Sequence, residues 1–238
     1  MTHGHFSTID IRDVPVRADP YSNSKSLEFG FRAKRFKKVQ HLIEAVLAER
    51  GTCEILDLGG TERYWDIGAS FLQANRGRIR ITAVNTEEQP VERPDMFEFH
   101  LGSATQSDLF EDRIFDLVHS NSVIEHVGAW PDMVQFAENA RRLAPRYYIQ
   151  TPNYWFPYEP HFRFPGFQYL PERTRAALIM RFSLGFFRRI ESAAEAEEII
   201  HHHRLLSARE MRVLFPDGAV EFERLAGFNK SIIAIRDV

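Results

Sequence analysis

Between residues 27 and 50, apolar side chains recur at Phe36, Val39, Leu42, Ile43, Val46 and Leu47, which is the spacing of one helical face. Gly51 stands where such a helix stops. Short apolar runs follow at 54–58, 79–84, 97–100, 115–119 and 147–150, separated by stretches compatible with helices. Residues 64–74 predict a helix ending near Asn75 and Gly77. Pro131 and Asp132 open another that carries Val134, Ala137, Ala140 and Leu143. Ser207 is placed to cap a short helix over 207–214, and strands at 220–225 and 231–236 flank Gly227 as a closing antiparallel hairpin. This alternation predicts an α/β protein with a mostly parallel seven-stranded sheet and helices on both faces.

Two stretches break the pattern. Residues 1–24 mix His, Asp, Pro and Ser without hydrophobic period, as a loose arm or flap would. Residues 154–204 are rich in aromatics, prolines and arginine and form an insertion after the fifth strand. The expected organisation is an arm and first helix over 1–50, a core made of 51–153 and 205–238, and a cap over 154–204.

Composition narrows the class. With 238 residues, 44% hydrophobic and 26% charged, the chain can bury a real core as a soluble protein. A net charge of −3 asks for no nucleic-acid partner. Cys53 is the single cysteine and cannot form an internal disulfide. The first twenty residues hold Asp10, Asp13 and Asp19 where a signal peptide needs apolar side chains, so a cytoplasmic location is expected. No run approaches the roughly 20 apolar residues that cross a bilayer.

Local features suggest partners. Residues 25–38 carry Lys25, Arg32, Lys34, Arg35, Lys37 and Lys38 against Glu28. Residues 161–190 carry Arg163, Arg173, Arg175, Arg181, Arg188 and Arg189 against Glu172. Facing a cleft, these segments would attract an acidic or sugar-linked small molecule; the commoner role of such runs is a solvated helix face. Leu178, Ile179, Met180, Phe182, Leu184, Phe186, Phe187 and Ile190 have the composition of a helix at a membrane surface, although such a face is more often buried in its own domain or in a homodimer. His201, His202 and His203 are consecutive and do not converge on one ion, so no metal site is expected from them.

The most informative stretch is Glu54-Ile55-Leu56-Asp57-Leu58-Gly59-Gly60-Thr61, a buried strand running into a glycine-rich turn. In an open α/β sheet that turn borders the crevice where ligands bind. A dinucleotide fingerprint would need glycines where this chain has Thr61 and Tyr64, which argues against a nicotinamide enzyme. The second strand ends in Asn85. Gly102-Ser103-Ala104-Thr105 follows the third, and the fourth runs into Ser120-Asn121-Ser122-Val123-Ile124-Glu125-His126.

From about Cys53 to Pro152 the chain resembles the class I S-adenosylmethionine-dependent methyltransferases, in the type 11-like group acting on small molecules. Ser120, Asn121, Ile124, Glu125 and His126 carry the most specific part of the likeness. The resemblance implies a Rossmann-like fold and S-adenosylmethionine as cofactor, held by Asp57, Gly59, Gly60, Asn85, Ser103, Ala104 and Asn121. The chain has Thr61, Asn85 and Ser103 where the family usually has a second loop glycine and two acidic residues. The nucleic-acid-methylating branch is disfavoured because Ser120-Asn121-Ser122 lacks its Asn-Pro-Pro-aromatic type of loop.

A hydroxyl acceptor would benefit from a base, which makes His126 and His161 the candidate catalytic residues. His161 lies in an aromatic, proline-stiffened loop that should overhang the crevice. Glu159 is near enough in sequence to orient it, but the extended loop is expected to point the two apart. The function read from the sequence is O-methylation of a small polar acceptor, with a sugar or glycan precursor preferred. The alternative is a catalytically inactive protein of the same fold that binds or scaffolds.

Overall fold

The computed structural model describes residues 27–111 and 113–238; the arm expected over 1–24, and Lys25 of the first basic segment, lie outside the described residues. Helix α1 (Leu27–Arg50) leads to β1 (Cys53–Leu58), a 3₁₀ segment (Glu62–Gly68), α2 (Ala69–Ala74), β2 (Ile79–Asn85) and β3 (Phe97–Leu101). Strand β4 (Leu117–Asn121), one 3₁₀ turn (Ile124–His126), α3 (Trp130–Leu143) and β5 (Arg146–Pro152) follow. The insertion contains β6 (Tyr158–Glu159), β7 (Phe164–Pro165), a 3₁₀ turn (Phe167–Tyr169), α4 (Glu172–Arg181) and α5 (Ala193–His202). The chain then rejoins the sheet through α6 (Ala208–Leu214), β8 (Ala219–Leu225) and β9 (Phe228–Arg236).

The seven-stranded sheet has the order β3-β2-β1-β4-β5-β9-β8. Strands β1 to β5 are parallel, and β9 runs antiparallel to both β5 and β8. Succession moves outward from β1 through β2 to β3 and then restarts at β4 on the other side. That reversal opens a crevice between the carboxyl ends of β1 and β4, at Leu58 and Asn121. Strands β4 and β5 are buried almost throughout, as strands covered on both faces must be.

On one face Phe36, Val39, Ile43 and Val46 of α1 pack on Ile55, Ile81 and Leu117. On the other, Met133, Phe136 and Ala140 of α3 and Met211 of α6 pack on Leu56, Val118 and Ile149. Each of the larger side chains among these, fully buried, contributes about 1.5–3 kcal/mol. Ser207 caps α6 as expected: its Oγ accepts from the Glu210 backbone N–H, while the Glu210 carboxylate accepts from the Ser207 backbone N–H at 2.8 Å.

Two sequence expectations are corrected. The single helix over 64–74 is instead a 3₁₀ segment followed by a six-residue helix. Trp65 is fully buried and donates its indole N–H to Asp57 at 2.8 Å, which draws this stretch down onto β1. Strand β4 starts at Leu117 rather than 115 and extends to Asn121, so its chemistry-bearing end belongs to the strand and not to the loop. The apolar side chains weighed for a membrane surface, for a homodimer and for burial in their own domain mostly take the last course: Ile179 is buried with Phe162, Phe167 and Ile199, and Leu178, Met180 and Phe187 pack against them. Phe182 and Phe186 stay exposed beside Arg181 and Arg163. Among the described residues no helix is long and apolar enough to cross a membrane.

Candidate functional site

The glycine turn after β1 is pressed between two neighbours. Gly59 has φ of +71°, and a Cβ there would lie 2.4 Å from Val123 Cγ1. A Cβ on Gly60 would lie 1.8 Å from Asp57 Oδ2. Both positions therefore require glycine, one for its backbone conformation and both for close approach. Below the turn, the buried Asp57 carboxylate takes the Trp65 indole N–H on Oδ2 and His119 Nδ1 on Oδ1 at 2.7 Å. The His119 ring is held between Tyr64 and Tyr148, and its buried Nε2 has no hydrogen-bond partner. Asp57 is thus the floor of the crevice, with both oxygens engaged by the protein.

A cavity of about 270 Å³ opens above this floor, lined by Arg32, Arg35, Gly59, Gly60, Asn121 and Ser122 among others. Arg35, 8% exposed, reaches in from α1 and donates through Nη1 to Asn121 Oδ1 at 2.7 Å and Gln150 Oε1 at 2.6 Å. Its Nε lies 3.3 Å from Glu223 Oε1, near enough for an ion pair though not aligned as a hydrogen bond. Ser122 has φ of +58°, a conformation costing about 1–3 kcal/mol for a residue with a Cβ. Gln150 holds it there, accepting from its backbone N–H at 2.9 Å and from its hydroxyl at 3.0 Å.

The remaining expected cofactor residues stand at the ends of β2 and β3 and do not line this cavity. Asn85 directs Nδ2 toward the carbonyls of Gly59 and Gly60, 3.4 Å from each, and Oδ1 accepts from the Glu87 backbone N–H at 3.2 Å. An aspartate here would face those two carbonyls without a donor, so the amide ties down the turn. Ser103 forms a local turn with Thr105, its Oγ 2.8 Å from Thr105 Oγ1. Ala104 is buried and its carbonyl accepts from Asn139 at 2.8 Å.

Beyond Val123 the chain makes one tight turn that carries Glu125 and His126. Glu125 is fully buried; Oε2 accepts from the Thr151 hydroxyl at 2.9 Å and Oε1 has no partner. Burial, only partly offset by the charge on His161, pushes its pKa up to about 7. The His126 ring lies 4.7 Å from that of His161 and 4.8 Å from that of His203. Burial and then the neighbouring His161 lower His126 to about 4, and burial and then His126 do the same to His203.

His161 behaves oppositely: burial would lower its pKa, but the hydrogen bond and charge of Glu159 outweigh burial and raise it. The expectation that Glu159 and His161 point apart is therefore corrected, since His161 Nδ1 lies 2.7 Å from Glu159 Oε1. The two are separated by one residue, and Glu159 Oε2 accepts from the Phe162 backbone N–H at 2.6 Å, which curls the chain back over the carboxylate. Of the histidine triplet, His201 faces Glu172 and His202 bonds the Glu198 carbonyl, while His203 turns toward His126 and His161.

The aromatic loop overhangs a second, larger cavity rather than the glycine crevice. This cavity, about 570 Å³, is lined by Tyr154, Trp155, Glu172, Arg175, His203 and Arg204 among others. The two basic segments divide accordingly: Arg32 and Arg35 line the smaller cavity and Arg175 the larger. Lys38 pairs with Glu221, and Arg189 with Glu191. Arg35, His119, Ser122, Glu125 and His203 are residues of these sites to which the sequence reading gave no catalytic or cofactor role. Arg35 had a signal in its basic segment, Glu125 in its place beside His126 and His203 in the histidine triplet, although nothing local separates His203 from its two neighbours.

Residues 61–146 match the family described as a methyltransferase domain. Two uncharacterized proteins of Mycobacterium tuberculosis are 35% identical over 60 residues, 25% of this chain and 20% of theirs, so the matched stretch spans a fifth of those relatives. Among solved structures, the plantazolicin methyltransferase BpumL in complex with a monoazolic desmethylPZN analog and S-adenosylhomocysteine aligns with TM-score 0.51 at 12% identity, over 92% of this chain and 88% of that one. The N-terminal domain of EvdMO1, in the presence of S-adenosylhomocysteine and D-fucose, aligns with TM-score 0.50 at 15% identity, over 87% and 82%. The chain spans 58% of an O-methyltransferase family protein from Burkholderia thailandensis, at TM-score 0.45, 15% identity and 87% of this chain. At these identities the structural likeness is one of fold.

Proposed function

We propose that this chain, a member of the class I S-adenosylmethionine-dependent methyltransferase family, moves a methyl group from that cofactor to a hydroxyl of a small polar acceptor. The carrying observation is the cavity of about 270 Å³ after β1, lined by the close-packed glycine turn and set beside a buried guanidinium. The cofactor would supply an electrophilic methyl group on a sulfonium. Because displacement at that carbon is in-line, the protein contributes chiefly by alignment.

The residues fit the cofactor's amino-acid end. Arg35 and Arg32 suit a carboxylate, Gly60 offers backbone against the thioether, and Asn121 is fixed by Arg35. The adenosine end would lie over the tips of β2 and β3, where Asn85 and Ser103 are the polar side chains and Ala104 gives an apolar floor. Asp57 acts from beneath by holding the turn.

On the acceptor side His126 and His161 are the candidate catalytic residues. Glu159 orients the His161 imidazole and stabilises its positive charge, which suits a group that takes a proton as the new bond forms, a contribution of roughly 10² to 10⁴ in rate. An oxygen acceptor is preferred over nitrogen because it needs that proton removed. Tyr154 and Trp155 offer rings to the apolar face of a sugar, with Arg175 and Arg204 for an acidic substituent, so a sugar or glycan precursor is the favoured acceptor class.

Calorimetry with S-adenosylhomocysteine tests the reading. Binding at one site per chain is expected. No heat at millimolar ligand would overturn it and leave a binding or scaffolding protein of the same fold.

A further inference from the structure

The cluster around Glu125 has features that acid–base work does not require. Three imidazoles from distant parts of the chain meet, with ring centroids 4.7 to 5.0 Å apart. In each, Nδ1 is engaged by an acceptor: His126 by the His202 carbonyl at 3.2 Å, His161 by Glu159 at 2.7 Å and His203 by the Ile199 carbonyl at 2.7 Å. An Nδ1–H that donates to a carbonyl or carboxylate leaves the lone pair on Nε2. This is how the second shell of a metal site fixes the tautomer of its histidines.

Beside these rings, Glu125 keeps Oε1 fully buried and without a partner, 4.0 Å from His126 Nε2. Burying a carboxylate oxygen unsatisfied costs several kcal/mol, so packing of aromatic rings alone does not account for it. One ligand atom from each of Glu125, His126 and His161 lies within 4.8 Å of the others. A tetrahedral ion with bonds of about 2.1 Å needs its ligand atoms roughly 3.4 Å apart, a contraction within reach of side-chain rotation.

We propose that Glu125, His126 and His161, with His203 packed alongside, form a binding site for one divalent transition-metal ion of the zinc class. Two imidazoles and a carboxylate favour zinc or ferrous iron over magnesium and calcium, which take oxygen ligands. Three protein ligands leave a coordination position open, and His203 borders the larger cavity from which a small molecule would reach it. The buried Oε1 of Glu125 gains the partner it lacks.

The ion's use rests on the methyl-transfer reading, with the bound ion, in place of His161 as a base, activating the acceptor. An acceptor hydroxyl in the open position becomes more acidic and releases its proton to solvent. Its oxygen then bonds the methyl carbon, while sulfur keeps the electron pair of the broken bond. The site itself stands without that reading.

The test is uptake of Zn²⁺ by the full chain after chelation, followed by calorimetry, with Co²⁺ as a spectroscopic probe. One equivalent per chain and visible Co²⁺ bands are expected. Glu125→Gln, which keeps the shape and the Thr151 bond, and His161→Ala should each abolish stoichiometric uptake. Glu159→Gln should weaken it by about 10- to 100-fold. His201→Ala, which removes an exposed imidazole, should leave it unchanged. Thermal melts show that each variant is folded.

Absence of one-equivalent uptake by the parent chain, or uptake that survives both Glu125→Gln and His161→Ala, overturns the proposal. So does uptake lost in His201→Ala. Calorimetry with S-adenosylhomocysteine in chelator separates the two claims. Cofactor binding without metal uptake removes the metal site alone, and metal uptake without cofactor binding removes the methyl-transfer reading alone.

Discussion

The glycine crevice and the histidine cluster lie at the same end of the sheet and begin within a few residues of each other after β4, yet they are held in different ways. The crevice is shaped by backbone: parallel ladders place β1 beside β4, Gly59 and Ser122 take positive φ, and Asn85 and Gln150 pin the turns that result. Arg35 adds a side-chain tie from α1. In the cluster, residues 125–126, 159–161 and 203 meet only because the insertion folds back, and a single bond orients each imidazole. Backbone construction makes a rigid cradle that tolerates no added side chain, whereas side-chain construction makes a site whose electrostatics depend on each partner.

The sharpest way to break this contrast is Arg35→Leu. It removes the cation beside Glu223 Oε1, leaving Lys230 and Ser231 on Oε2, and takes a buried donor from Asn121 and Gln150; breaking such a buried pair costs up to roughly 3–5 kcal/mol. Urea unfolding should show that loss; a change under about 1 kcal/mol would mean the crevice does not depend on the guanidinium.

Next in size is Gly59→Val, for which a Cβ overlapping Val123 and a strained φ are expected to weaken S-adenosylhomocysteine binding at least about 100-fold, equivalent to about 2.7 kcal/mol. Cofactor titration of the variant checks this. If Zn²⁺ uptake fell in parallel, the two regions would not be independent.

A smaller effect concerns acid, measured as urea midpoints at pH 7 and pH 5 in chelator. His126 and His203 have folded pKa values of about 4, below the ordinary 6.5, so their contribution to stability is present above pH 6.5 and is lost as pH falls toward 4. Glu125 runs the other way: with a pKa raised from 4.5 to about 7, its contribution is present below pH 4.5 and gone above pH 7. His126→Gln should reduce the loss of stability between pH 7 and pH 5; an unchanged slope would mean that His126 titrates normally.

This difference in construction also explains what the sequence revealed. The sheet, α1, the capped α6 and the closing hairpin are legible because their signals are local periodicity, a glycine or a cap. The glycine turn is legible for the same reason, whereas Asn121 is read from the family resemblance of the segment after the fourth strand. The engagement of Asp57 by Trp65 and His119 is not, since it depends on a 3₁₀ path that brings an indole under the turn. The meeting of His126, His161 and His203 is less legible still: residues 35 and 42 positions apart converge through the packing of the insertion's own apolar cluster. Even the Glu159–His161 pair depends on a backbone curl that composition does not announce.

The central claim is that the crevice at the tips of β1 and β4 receives the cofactor. Hydrogen exchange measured with and without saturating S-adenosylhomocysteine tests it most directly. Slowed exchange is expected in peptides spanning 57–64 and 119–123, with little change across 172–200. Binding that protects only the insertion, and leaves the glycine turn exchanging at its free rate, would contradict the account.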